Sequence, residues 1–184
     1  MSDTVLVAYG TWAGSTAEVA EEIGKTLREA GLSVDVKSAR DVDDASAYGG
    51  VVVGSGVRAG RLHPHVLKFL KAHGAALSEV PVAYFVVCLS MMKDTADNDP
   101  DRLRSAASEE ERREAMGYLD GARQAAPEVE PVGMGLFGGV MDFSKLGVLM
   151  RFMMRTMKSP EGDYRDWDAI RAWAREIQPA LSGA

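Results

Sequence analysis

The sequence predicts a doubly wound α/β fold on five parallel strands, and three observations predict it. Three runs, Val5–Ala8, Val51–Val53 and Val82–Leu89, are apolar without interruption, as strands covered on both faces are. Between the strands, apolar residues recur every three or four positions, which is helical spacing. Small-residue loops follow the first and third strands, where a parallel sheet receives its ligands.

The elements follow in order. After the strand Val5–Ala8, residues Ala17, Ala20, Ile23 and Leu27 trace one face of a helix that Gly31 ends. Leu32, Val34 and Val36 alternate with polar residues, so this strand lies at an edge or is half covered. Residues 40–49 form a loop or a short helix. Val51–Val53 enters a glycine-rich turn. Pro64 suits the first turn of a second helix, and Val66, Leu67, Phe69 and Leu70 supply its apolar face. Pro81 introduces the fourth strand. Residues 99–126 are charged and mostly helical, with Gly117 and Gly121 as weak points, and residues 128–139 give the fifth strand and its exit loop. Asp166 is the N-cap of a last helix whose Trp167, Ile170 and Trp173 pack on the sheet. No linker divides the chain and no repeat recurs, so one domain spans residues 1–184.

The bulk numbers narrow the function classes. A net charge of −6 over 184 residues argues against general electrostatic attraction to nucleic acid. The one cysteine, Cys88, sits in an apolar run as a small buried hydrophobe, which suits a reducing compartment. No basic-then-apolar leader precedes Val5 and no apolar run reaches eighteen residues. The expected location is the cytoplasm, with the inner face of the cell membrane as a peripheral alternative.

The loop Gly10-Thr11-Trp12-Ala13-Gly14-Ser15-Thr16 carries the chemistry. Backbone amides at a helix start bind phosphate without a lysine, hydroxyls at 11, 15 and 16 add donors, and Gly10 and Gly14 admit close approach. The competing reading is structural: Ser15 and Glu18 fit a capping box. A nucleoside triphosphate loop would need Gly-Lys-Ser/Thr after strand one, and a dinucleotide site Gly-x-Gly-x-x-Gly; neither is there. A phospho-receiver would need acids at the strand ends, but strand one ends in Ala8-Tyr9.

Thr11–Thr16 resembles the flavin mononucleotide (FMN) phosphate loop of flavodoxins, typically Thr/Ser-x-Thr-Gly-x-Thr, with Ala13 in place of the middle hydroxyl residue. The whole chain resembles a flavodoxin-like domain. It is similar more narrowly to the menaquinone-dependent protoporphyrinogen oxidase group, through residues 52–73 and the region from Gly135 to Ile177. That resemblance implies strand order 2-1-3-4-5 and noncovalent FMN. It implies cofactor contacts from Thr11, Trp12, Ala13, Gly14, Ser15 and Thr16, then Ser55, Gly56, Val57 and Arg58, then Cys88, Leu89 and Ser90. Ser55 could face the ring's polar edge, and Trp12 could cover its near side. Arg58 is the candidate catalytic residue: a cation beside the flavin's N1 and C2 carbonyl favours the reduced, anionic ring. Its alternatives are solvent or a carboxylate partner. His63 and His65 bind an acidic substrate, move protons, or sit on the surface; with His73 they make no metal set.

Residues 139–162 form an insertion before the last helix. Leu146, Leu149, Met150, Phe152, Met153 and Met157 are too apolar for an exposed face, and Lys145, Arg151, Arg155 and Lys158 lie among them with no acid between Asp142 and Glu161. Such a segment, 143–158, contacts a membrane surface, a partner subunit in a homo-oligomer, a greasy substrate or its own domain. The resemblance implies an oxidoreductase that oxidises a tetrapyrrole and reduces a quinone. The alternatives are an electron carrier between redox proteins and an FMN-dependent quinone reductase.

Overall fold

The computed structural model describes residues 4–88, 113, 116–142 and 162–182. β1 (Thr4–Gly10) leads to α1 (Ser15–Glu29) and β2 (Ser33–Ser38). A 3-10 turn at Ala39–Asp41 precedes β3 (Gly50–Arg58), which folds back as β4 (Arg61–Leu62). Among the described residues there follow α2 (Pro64–Leu77), β5 (Val82–Cys88), α3 (Asp120–Ala125) and β6 (Pro131–Gly138). The short strands β7 (Val140–Met141) and β8 (Gly162–Asp163) precede α4 (Trp167–Leu181).

The main sheet has the order β2-β1-β3-β5-β6, and every neighbouring pair along it is parallel. This is the doubly wound order expected, 2-1-3-4-5 over the five long strands. Alternation sends the two faces of β1 into separate cores. Leu6 and Ala8 join Val66, Phe69 and Leu70 of α2 and Ala122 of α3. Val5 and Val7 join Val19, Ile23 and Leu27 of α1 and Ile170, Trp173 and Ile177 of α4. Burying each of these large apolar side chains contributes roughly 1.5–3 kcal/mol. β2 is an edge strand, as its alternation implied. The Arg28 guanidinium donates twice to the Val34 carbonyl there, at 3.1 and 2.9 Å, which places a charged side chain over part of the edge.

Two expectations need correction. The segment after Val53 does not turn. Gly54 and Ser55 pair with Tyr9 and Gly10 of β1 on one side and with Phe85 and Val86 of β5 on the other. Ladder bonds on both sides hold these small residues extended, and the reversal comes five residues later, at Ala59-Gly60. Both turn residues have positive φ, 50° and 71°, the sign a two-residue hairpin of type I′ requires. In the charged helical region, the break falls at Leu119, between helical Met116–Tyr118 and α3, and not at a glycine.

The ends of the insertion meet. β7 pairs antiparallel with β8, Val140 opposite Asp163 and Met141 opposite Gly162, and the Tyr164 amide donates to the Gly139 carbonyl at 3.0 Å. The segment 143–158, singled out above for membrane, partner or substrate contact, lies outside the described residues.

Candidate functional site

The carboxyl ends of β1, β3 and β5 converge on the loop Thr11–Gly14. Thr11 folds that loop on itself: its Oγ1 accepts from the Gly14 amide at 2.9 Å. Gly14 is the N-cap of α1 at φ 100°, a region that costs an L side chain about 1–2 kcal/mol. It offers no capping side chain, and its carbonyl takes the amides of Ala17 and Glu18 at 3.0 and 3.2 Å. Among the described residues, nothing accepts from the amides of Ser15 and Thr16. The capping-box reading of Ser15 and Glu18 is therefore overturned: Ser15 is already helical, and Glu18 is turned to Arg165. A helix start with two unfilled donors and the positive end of its dipole is chemically suited to an anion, and these residues fit a phosphate monoester.

The hairpin β3–β4 forms one wall. A Cβ on Gly56 would fall 2.9 Å from Thr16 Oγ1 and 3.3 Å from Trp12 Cδ1, so glycine alone lets the hairpin lie against the loop. The Ser55 hydroxyl is buried, donates to the Gly56 carbonyl at 2.9 Å and accepts from the His63 amide at 2.8 Å. It therefore secures the hairpin base and is not open to a ring's polar edge as expected. Val57 stands opposite Leu62 and Arg58 opposite Arg61. Leu62 is buried in the core with Val57 packed on it, while both arginines are exposed.

His63 is buried and not on the surface. It is the N-cap of α2, its Nδ1 accepting from the His65 amide at 3.3 Å, so the ring proton belongs on Nε2. Burial, then the neighbouring His65, pulls its pKa below the ordinary histidine value. The His63 ring lies 4.5 Å from that of Trp12, which remains 45% exposed with the Arg58 guanidinium 5.4 Å from its centroid. Arg58, Trp12 and His63 thus form one run of contacts beside the phosphate loop.

The opposite wall is the end of β5 and the root of the insertion. Cys88 is a buried thiol at the end of β5, while Leu89 and Ser90 lie outside the described residues. A Cβ on Gly139 would fall 3.2 Å from Val87 and 3.9 Å from Ser15 Oγ, so the insertion departs beside the first turn of α1. Arg165 fastens that root. Its Nε and Nη2 donate to Asp163 at 2.8 and 2.6 Å, its Nη1 donates to Glu18, and its guanidinium stacks 4.4 Å from the Trp167 centroid. Hydrogen bonds from Arg165 hold the Asp163 carboxyl below the usual carboxylate range, and the same bonds raise Arg165 further. Arg165 and Glu18 are 147 positions apart, so no local pattern announces them. Among the described residues, no group of three His, Cys, Asp or Glu could hold a metal ion, and no helix is long and apolar enough to cross a membrane.

Comparison with known proteins agrees with this geometry. The family model described as a flavodoxin domain matches residues 6–168. The chain is 25% identical over 183 residues to the protoporphyrinogen IX dehydrogenase [quinone] of Escherichia coli K12, covering 94% of this chain and 93% of that protein. The protein of the same name from Leishmania major is 25% identical over 188 residues, covering 96% and 75%. A solved flavodoxin from the domain Archaea superposes with a TM-score of 0.56 over 97% of this chain and 98% of its own; at 16% identity this likeness shows the fold.

Proposed function

The chain belongs to the flavodoxin domain family, and on that premise we propose that it is an FMN-dependent electron-transfer protein that works as a quinone-linked protoporphyrinogen oxidase. The observation that carries the cofactor is the start of α1, where the Ser15 and Thr16 amides meet no acceptor among the described residues at the ligand edge of a parallel sheet. Thr11 shapes the loop and Gly14 frees its backbone, so the amides of Ser15 and Thr16 hold the phosphate. Trp12 and the hairpin residues Gly56, Val57 and Arg58 form one wall for the ring, and the end of β5 at Cys88 forms the other. Bound flavin supplies two-electron oxidation and reduction. Arg58 adds positive charge at the ring's edge. In the net reaction six hydrogens leave the tetrapyrrole in three two-electron steps, and three quinones become quinols.

A second reading, an electron carrier between redox proteins, draws on the net charge of −6 and on the likeness to solved flavodoxins. Anaerobic spectroscopy separates the two. Flavin-loaded protein is mixed with protoporphyrinogen and then with a menaquinone analogue. Bleaching by the tetrapyrrole and recovery with the quinone support the oxidase. A flavin that ignores both and exchanges electrons only with redox proteins assigns the carrier.

A further inference from the structure

The β3–β4 hairpin holds a like-charge pair that the fold does not neutralise. Residues directly opposite in an antiparallel ladder share one face, and like charges placed so are destabilising. Arg58 and Arg61 are such a pair, both exposed, and neither makes an ion pair among the described residues. Four other cations, Lys37, Arg123, Arg165 and Arg171, each face a carboxylate within 3.2 Å. The hairpin does not need the arginines for its own stability, because its inward pair, Val57 and Leu62, does the packing. Arg58 overlies the exposed ring of Trp12, and Arg61 stands opposite Arg58. Two arginines facing each other across a hairpin, one of them over a flat aromatic ring, suit a small ligand that joins carboxylates to an apolar ring system. An acidic protein surface would ask for cations spread over a wider patch.

We infer that Arg58 and Arg61, with Trp12, form a carboxylate-recognition face at the mouth of the site, selecting a ring-shaped substrate that carries acid side chains over its neutral analogue. This rests on the reading that the site meets a small-molecule substrate.

The test uses the full chain loaded with FMN. Equilibrium binding is measured for protoporphyrin, a dicarboxylate, and for its dimethyl ester in the same detergent. The parent should bind the diacid at least tenfold more tightly than the ester, with a preference that shrinks as salt rises. Arg61→Gln should bring the ratio below about threefold by weakening the diacid alone, and Arg61→Lys should restore most of it. Equal affinities in the parent, or an equal loss for diacid and ester in Arg61→Gln, would overturn the inference. A matching loss of FMN affinity would overturn it too, assigning the pair to the cofactor's phosphate. So would an Arg61→Gln effect confined to exchange with an acidic redox protein, which would make the hairpin a protein-docking face. Turnover in the same samples separates the two proposals. Discrimination without oxidation leaves this inference standing and removes the oxidase; oxidation without discrimination does the reverse.

Discussion

Two arginine–tryptophan contacts flank the phosphate loop, and they differ in company. At the root of the insertion, Arg165 lies 4.4 Å from Trp167 and is enclosed by Asp163 and Glu18, its side chain 9% exposed. At the hairpin, Arg58 lies 5.4 Å from Trp12, and the residue paired opposite it is another arginine. The first arrangement is complete and holds two segments together. The second is incomplete and exposed, which is what a ligand-facing cation looks like. The same residue pair does structural work on one side of the cleft and leaves unused capacity on the other.

The largest effect should come from giving the open side the acid it lacks. Gly14→Asp places a carboxylate where the phosphate belongs and should weaken FMN retention at least a hundredfold in a fluorescence titration. Gly14→Ala carries the same left-handed strain without the charge. It should lose much less, and equal losses would show that strain, not charge, matters. On the closed side, Arg165→Ala should cost about 2–3 kcal/mol in urea unfolding, since hydrogen bonds to charged groups are lost and two carboxylates are left together.

These contrasts were only partly legible in the sequence. The five strands, the proline-led second helix and the Asp166 cap were readable, because apolar periodicity and capping chemistry are local. The cap is seen as Asp166 Oδ1 accepting from the Ala169 amide at 2.9 Å. The hairpin was hidden because Gly54-Ser55-Gly56 looks like a turn when its neighbours on both sides are unknown. The mirrored Val57-Arg58 and Arg61-Leu62 about Ala59-Gly60 was the available signal. The competing reading of Ser15 and Glu18 as a capping box fails for the opposite reason: the spacing fits a local motif, but Glu18 takes a hydrogen bond from the distant Arg165.

A smaller effect concerns pH at the open side. The folded-state pKa of His63 is lowered, so below the unfolded value of about 6.5 the unfolded chain binds more protons. Its contribution is complete above that pH and is lost as the pH falls toward the folded value. Urea midpoints between pH 7 and 5 should decline in the parent and decline less in His63→Asn, which keeps a capping acceptor. Ala59→Asn should raise stability by about 1 kcal/mol, because asparagine accepts the positive φ that alanine resists. A thermal midpoint unmoved by that change would mean the turn carries no strain. Arg58→Ala should be nearly silent in stability, within about 0.5 kcal/mol, in contrast to Arg165→Ala. It should lower the flavin midpoint potential in a dye-coupled titration, and a potential equal to the parent's would remove Arg58 from the redox site.

Because Val140–Met141 and Gly162–Asp163 lie side by side, the chain leaves the domain and returns to it at one point. A two-residue Asn-Gly turn has the length that such an antiparallel pair needs to close. Evolution or an engineer could thus exchange one loop for another at this junction and redirect the same redox scaffold to a new customer.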